Sequence, residues 1–215
     1  MILGNAQTTS VAAEVGTLFH LHHKNFYEKV ELPFNMTRKN VESYFRSCMP
    51  DDELTNYLLD NFAAFETDRW FRCVELERPD IFMPLATENE FFNDKKCTMG
   101  TIDRVDQLAN GELAVGEIKS GNLGTWVRRE LAFYVMSLEP PYFAETTFEI
   151  QPTYIFAYSP KENKSLFEKL HPNTIAALHR ALDRARDTID SENFECKTGF
   201  HCDWCRRVGV CPAYE

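Results

Sequence analysis

Asn110-Gly111 stands between two runs that read as strands, 98–107 and 112–119. An Asn-Gly pair adopts the positive-φ backbone that tight hairpins require, so it pins an antiparallel strand pair in mid-chain. A lone hairpin is not stable in water; it has to join a wider sheet with at least one covered face. The flanks supply the cover. Residues 10–30 have helical spacing in Val15, Leu18, Phe19 and Phe26, with Ser10 as a candidate N-cap. The sequence predicts further helices over 37–47, over 52–66 with Asp51 or Asp52 as cap, and over 67–77 until Pro79 ends the run. Residues 81–92 suit a strand, 125–138 a helix and 147–159 a strand whose Pro152 suggests an edge or a bulge. Residues 172–190 read as a helix entered through Pro172. The order of helices, hairpin, then helix–strand–helix predicts an α/β or α+β fold with a mixed sheet flanked by helices.

The hairpin also carries the chemistry. Its strands contain Gly100-Thr-Ile-Asp103-Arg-Val-Asp106 and Gly116-Glu117-Ile-Lys119. Glu117 and Lys119 are two apart and project from one face, and Asp103 on the partner strand reaches the same face. Two carboxylates and an ammonium then share a site. Hard cations such as Mg²⁺ or Mn²⁺ take oxygen ligands of this kind, and the backbone carbonyl of Ile118 offers one more. The lysine would orient a nucleophile or stabilise charge in a transition state. The plain alternative is a solvated cross-strand salt bridge.

These residues resemble the PD-(D/E)XK nuclease superfamily, and within it the RecB-like type, including CRISPR-associated RecB-like exonucleases. Gly16-Thr-Leu-Phe-His20 is similar to that group's Gly-x-x-x-His motif. Glu130-Leu-Ala-Phe-Tyr134 resembles its Gln-x-x-x-Tyr motif, with Glu in place of Gln. The resemblance implies a restriction-endonuclease-like core over 1–190, helical over about 10–78, with a cysteine-rich module over 191–215. It implies Asp103 and Glu117 as metal-binding acids, Lys119 as catalytic lysine, His20 as a further metal ligand, and Tyr134 as a supporting catalytic residue. Glu90 and Asp106 take supporting roles, and the motif selects His20 over His22 and His23. Ionised Glu130 accepts hydrogen bonds only, where glutamine also donates, so it is expected to pair with Arg128, Arg129 or Lys119.

Cys202, Cys205 and Cys211 lie close together near the end, with Cys196 nearby. Thiolates at this spacing hold zinc or an iron–sulfur cluster. The resemblance implies a 4Fe-4S cluster; residues 1–15 lack the early cysteine of related nucleases, which leaves Cys196 as the nearest candidate for fourth ligand and Cys48, Cys73 and Cys97 as the others. A Zn²⁺ site or a reduced, metal-free tail are the alternatives.

The net charge of −10 argues against a generally basic nucleic-acid binder. It leaves room for a local basic rim. Arg128, Arg129, Arg206 and Arg207 are candidate phosphate contacts, and Trp126 a candidate stacking surface for bases. No run approaches the roughly 18–20 apolar residues of a membrane span. Residues 1–10 have neither a basic nor an apolar signal region, so a cytoplasmic location is expected. The resulting expectation is a Mg²⁺- or Mn²⁺-dependent deoxyribonuclease, an exonuclease acting on single-stranded or end-containing DNA in repair, recombination, viral replication or CRISPR adaptation. The rivals are a catalytically inactive nucleic-acid-binding module with this fold and a zinc-binding adaptor. For the tail, protein purified without oxygen is expected to bind iron and to absorb in the iron–sulfide charge-transfer region. A colourless protein that contains no iron would sink the cluster reading.

Overall fold

A computed structural model describes residues 11–191. They divide between two compact units, Met1–Ile175 and Ala176–Glu215. Three helices come first: α1 (Val11–Lys29), α2 (Arg38–Ser47) and α3 (Asn56–Glu75). A short 3₁₀ turn (Pro79–Phe82) leads into β1 (Ala86–Asn93), β2 (Thr98–Gln107) and β3 (Leu113–Ile118). Then follow α4 (Val127–Ser137), β4 (Phe143–Ala144), β5 (Tyr154–Ser159), β6 (Lys164–Lys169) and α5 (Pro172–Asp190).

The six strands form one sheet in the order β4-β1-β2-β3-β5-β6. All neighbours are antiparallel except β3 and β5, which run parallel. A parallel pair needs a crossover, and α4 lies in the connection between these two strands. The mixed sheet flanked by helices is the restriction-endonuclease-like arrangement expected from the sequence.

Each face of the sheet has its own core. Phe19, Phe26 and Tyr27 of α1, Phe45 of α2 and Leu58, Phe62 and Trp70 of α3 bury against Ala114, Ile118, Phe156 and Tyr158. On the opposite face, Val127, Leu131 and Val135 of α4 bury against Val105, Val115, Ile155 and Ala157. Burying each large apolar side chain contributes about 1.5–3 kcal/mol, so these two layers fix the helices on the sheet.

Several elements differ from the sequence expectation. The helices read separately over 52–66 and 67–77 are one helix. Its buried face runs from Leu58 to Cys73 through the polar Glu66 and Thr67, and Thr55 rather than Asp51 or Asp52 is its N-cap residue. Asp52 instead accepts a backbone hydrogen bond from Leu54 in the loop before it. The strand expected from residue 81 begins at Ala86, because Ile81 and Phe82 are buried in the 3₁₀ turn that Pro79 opens. Pro152 marks no edge: it precedes β5, which lies between β3 and β6. Strands β4 and β6 were not anticipated. Ser10, proposed as the cap of α1, lies outside the described residues, as does the whole cysteine tail.

The Asn110-Gly111 turn is a hairpin, as expected. Gly111 has φ of 85° and donates its N–H to Leu108, which fits a three-residue loop closed by a left-handed glycine. Gly116 is required for a different reason. A Cβ there would sit 1.9 Å from the ring of Phe156, whose other side carries the Arg104 guanidinium, 4.5 Å from the ring centroid. Gly116→Ala is therefore expected to destabilise by about 1–3 kcal/mol. A melting temperature equal to that of the unsubstituted protein would show that Phe156 is not seated over this glycine.

Candidate metal centre

The site forms where the sheet loses its regular alternation. Val105 and Ile102 of β2 both bury against the α4 layer, although three residues apart. Ala86 and Phe91 of β1 do the same, five residues apart. A period of two cannot put either pair on one face. Both strands therefore change phase between these residues. Pairing runs from Thr87↔Arg104 to Asn89↔Ile102, and the residues between them are Glu88 and Asp103. Glu88 has a positive φ of 48°. Glu88 and Asp103 keep the face of Glu90 and Thr101 and meet α1, and the change of phase lets the adjacent Arg104 meet α1 and α3 on that side as well.

There they meet His20. Its Nδ1 lies 3.2 Å from Glu88 Oε1 and 3.5 Å from Asp103 Oδ1. Ligand atoms of His20, Glu88 and Asp103 all lie within 4.8 Å of one another. The other oxygen of Asp103 accepts the Ile118 N–H at 2.7 Å. On β3, Glu117 follows Gly116, which pairs with Arg104, so Glu117 comes next to Asp103 in the register. Glu117 accepts a short hydrogen bond from the Lys119 ammonium, which also pairs with Glu130 Oε2 of α4 at 3.0 Å. Glu117 Oε2 is buried with no hydrogen-bond partner among the described residues. A buried carboxylate oxygen without a donor is costly and calls for a cation or a water. Hard oxygens with one imidazole suit a divalent metal ion, and the residues present fit one.

The electrostatics follow from crowding. Burial pushes the Asp103 carboxyl up to about 6, against the pull of His20. Burial and the neighbouring Asp103 charge push Glu117 up to about 7. Burial disfavours the charged form of His20, but its bond to Glu88 and the charges of Asp103 and Glu117 outweigh this and raise its pKa. Burial works against Glu88 too, yet His20 and His23 draw it down to about 2. For Lys119, Glu117 and Glu130 overcome burial and hold the ammonium form.

The structure brings His20, Asp103, Glu117 and Lys119 together as the sequence suggested, and adds Glu88. Glu90 is exposed opposite Thr101, one row beyond Glu88 and Asp103 on the same strands. Counting back along the hairpin from Asn93↔Thr98 places Glu88 across from Asp103, a signal available once that second turn is recognised. Tyr134 lies one turn after Glu130 on α4. Burial, then the charges of Glu117, Glu130 and Asp103, raise its hydroxyl pKa. Asp106 bonds the buried Arg104 at 2.9 Å rather than facing the site. His22 pairs with Asp52 at 3.1 Å, while His23 is fully buried 3.7 Å from Glu88. The Ile118 side chain is buried, and its N–H is committed to Asp103. Arg128 pairs with Glu168 of β6. Arg129 stacks on the exposed Trp126, 4.8 Å from its ring centroid. Cys196, Cys202, Cys205, Arg206, Arg207 and Cys211 lie outside the described residues. An open cleft of about 450 Å³, lined by Thr17, His20, Leu21, Lys24 and Glu88, leads to the cluster.

A family model of the PD-(D/E)XK nuclease superfamily matches residues 2–212. No curated protein matches the sequence. A solved structure titled "Crystal structure of SSO0001" aligns with 93% of this chain and 98% of its own. It shares 13% identity and has a TM-score of 0.35, a likeness too slight to bear on the fold.

Raised carboxyl pKa values make a stability prediction. Folded Glu117 keeps its proton to about pH 7, whereas the unfolded chain releases it near 4.3. Between these values the folded state binds more protons, so this group's contribution to stability falls as pH rises. In chelator-treated protein, Glu117→Gln is expected to gain stability over the unsubstituted chain between pH 5 and 8, by about 1–3 kcal/mol at the upper end. Urea midpoints that differ by the same amount at both pH values would contradict the shifted carboxyl.

Proposed function

Because the chain belongs to the PD-(D/E)XK nuclease superfamily, we propose that it is a Mg²⁺- or Mn²⁺-dependent deoxyribonuclease that hydrolyses phosphodiester bonds. The observation that carries the reading is the convergence of His20, Glu88, Asp103 and Glu117 beside the Lys119 ammonium.

His20, Glu88 and Asp103 would hold the ion, with Glu117 and the Ile118 carbonyl completing the set. Such an ion supplies charge neutralisation at the phosphate and lowers the pKa of a water molecule. The protein's own residues do the rest. The Ile118 N–H fixes one Asp103 oxygen and leaves the other facing His20. Lys119 is kept charged by Glu117 and Glu130, so it offers a fixed positive group to a phosphate oxygen as charge builds there. Glu130 orients that lysine, a role a carboxylate performs directly. Tyr134 stands by with a neutral hydroxyl donor. Arg129 and Trp126, stacked at the start of α4, offer a phosphate and a base contact. In this reading the substrate is single-stranded or end-containing DNA, removed as an exonuclease removes it. Cys202, Cys205, Cys211 and Cys196 hold a 4Fe-4S cluster, with Zn²⁺ as the other candidate.

Plasmid and end-labelled oligonucleotides incubated with Mg²⁺ or Mn²⁺ test the site. Intact protein is expected to degrade them only with metal, and Asp103→Ala and Lys119→Ala to lose at least 10²-fold in rate. Variants that cleave as fast as the parent would overturn the assignment. Substrate that binds but persists with metal would favour an inactive binding module.

A further inference from the structure

The end of the sheet beyond the metal cluster has one covered and one open face. Phe91 and Asn93 of β1 turn toward α4 and are buried. Phe92, between them, turns the other way and is 45% exposed. It pairs with Met99 of β2 on one side and Phe143 of β4 on the other. Directly opposed residues of antiparallel strands share a face. Phe143, Phe92 and Met99 therefore form one row across three strands, and Phe143 and Met99 are 68% and 76% exposed. The next row toward the site is Glu90 and Thr101, both exposed. The row after that is Glu88 and Asp103. The aromatic row thus lies four residues, about 13 Å, from the cluster along the same strands.

We propose that this open face binds the unpaired bases of the nucleic acid whose backbone is held at the metal cluster. The inference rests on the nuclease reading and specifies its substrate as single-stranded there. Three observations support it. Contiguous exposed apolar side chains of this kind mark binding surfaces, and the described residues leave these three open. It is continuous with the catalytic cluster, on the same two strands. Its chemistry suits bases rather than backbone: the two rows hold no lysine or arginine to receive phosphates, and their one charged group is the Glu90 carboxylate. A duplex keeps its base faces stacked inside and offers this row only phosphates and groove edges. Unpaired bases present flat faces that stack on Phe92 and Phe143, and N–H groups that donate to Glu90. Met99 extends the stacking surface with a polarizable thioether.

The test uses the full chain with Phe92→Ala and Phe143→Ala together, both exposed positions. Binding to oligo-dT and to a closed-ended duplex is measured by fluorescence anisotropy with Ca²⁺ in place of the catalytic ion. Mn²⁺ binding and light scattering are followed in parallel. The expected result is oligo-dT affinity reduced roughly tenfold or more, with duplex affinity, Mn²⁺ binding and monomer mass unchanged. Oligo-dT affinity equal to the parent's would overturn the proposal, as would equal losses for oligo-dT and duplex. A parent dimer converted to monomer without loss of oligo-dT affinity would overturn it too, identifying the face as a contact between copies. A parent protein that binds and cleaves no nucleic acid would overturn the nuclease reading itself, which separates that failure from failure of the base platform alone.

Discussion

Arg104 has almost no contact with water, and an unpaired guanidinium in such a place would be prohibitive. Its charge is met by Glu66 of α3 at 2.7 Å and Asp106 of β2 at 2.9 Å, and it also bonds the Tyr27 hydroxyl of α1. Arg69 pairs with Glu66 at 2.8 Å from the same helix. Removing either acid would leave buried positive charge short of a partner, and losing Tyr27 would cost a buried hydrogen bond, so α1, α3 and β2 are held in one relative position. Arg104 is also the residue next to Asp103, and Tyr27 lies two turns after His20. The ion cluster therefore joins the strand that carries the aspartate to the helix that carries the histidine.

That rigidity matters because the neighbouring site is not self-stabilising. Glu88, Asp103 and Glu117 crowd together where solvent is scarce, and two of the three are pushed toward neutrality by burial. Such an arrangement persists only when the surrounding structure enforces it. The phase change in β1 and β2 is part of the enforcement, since it lets Asp103 and the adjacent Arg104 both face the layer of α1 and α3. The crowding that weakens the metal-free protein is the same property that would attract a divalent cation.

Much of this was legible in the sequence. The Asn-Gly hairpin, the Asp103–Glu117–Lys119 set and the Gly16 to His20 helix segment all depend on local spacing, which the chain displays directly. What was missed depends on tertiary context. The long helix α3 reads as two because Glu66 and Thr67 interrupt its apolar stripe, and Glu66 is buried there only by pairing with Arg69 and Arg104. Strand β6 reads as a polar loop, and it becomes a strand by pairing with β5 along the sheet edge. Glu90 and Glu88 are two apart and share a face in an ideal strand, so alternation alone cannot choose between them. The choice is made by a backbone irregularity at Glu88 that no propensity announces. The buried partners of Arg104 are likewise spread over Tyr27, Glu66 and Asp106, too far apart in sequence to suggest one another.

The central claim is that His20, Glu88, Asp103 and Glu117 form one cation site. A crystal structure of the protein grown with Mn²⁺ addresses it most directly, through anomalous difference density at the manganese edge. The account predicts a peak bounded by His20 Nδ1, Glu88 and Asp103, with Glu117 facing it and Lys119 alongside. Manganese bound elsewhere with this cluster bare, or held without either Asp103 or Glu88, would contradict it.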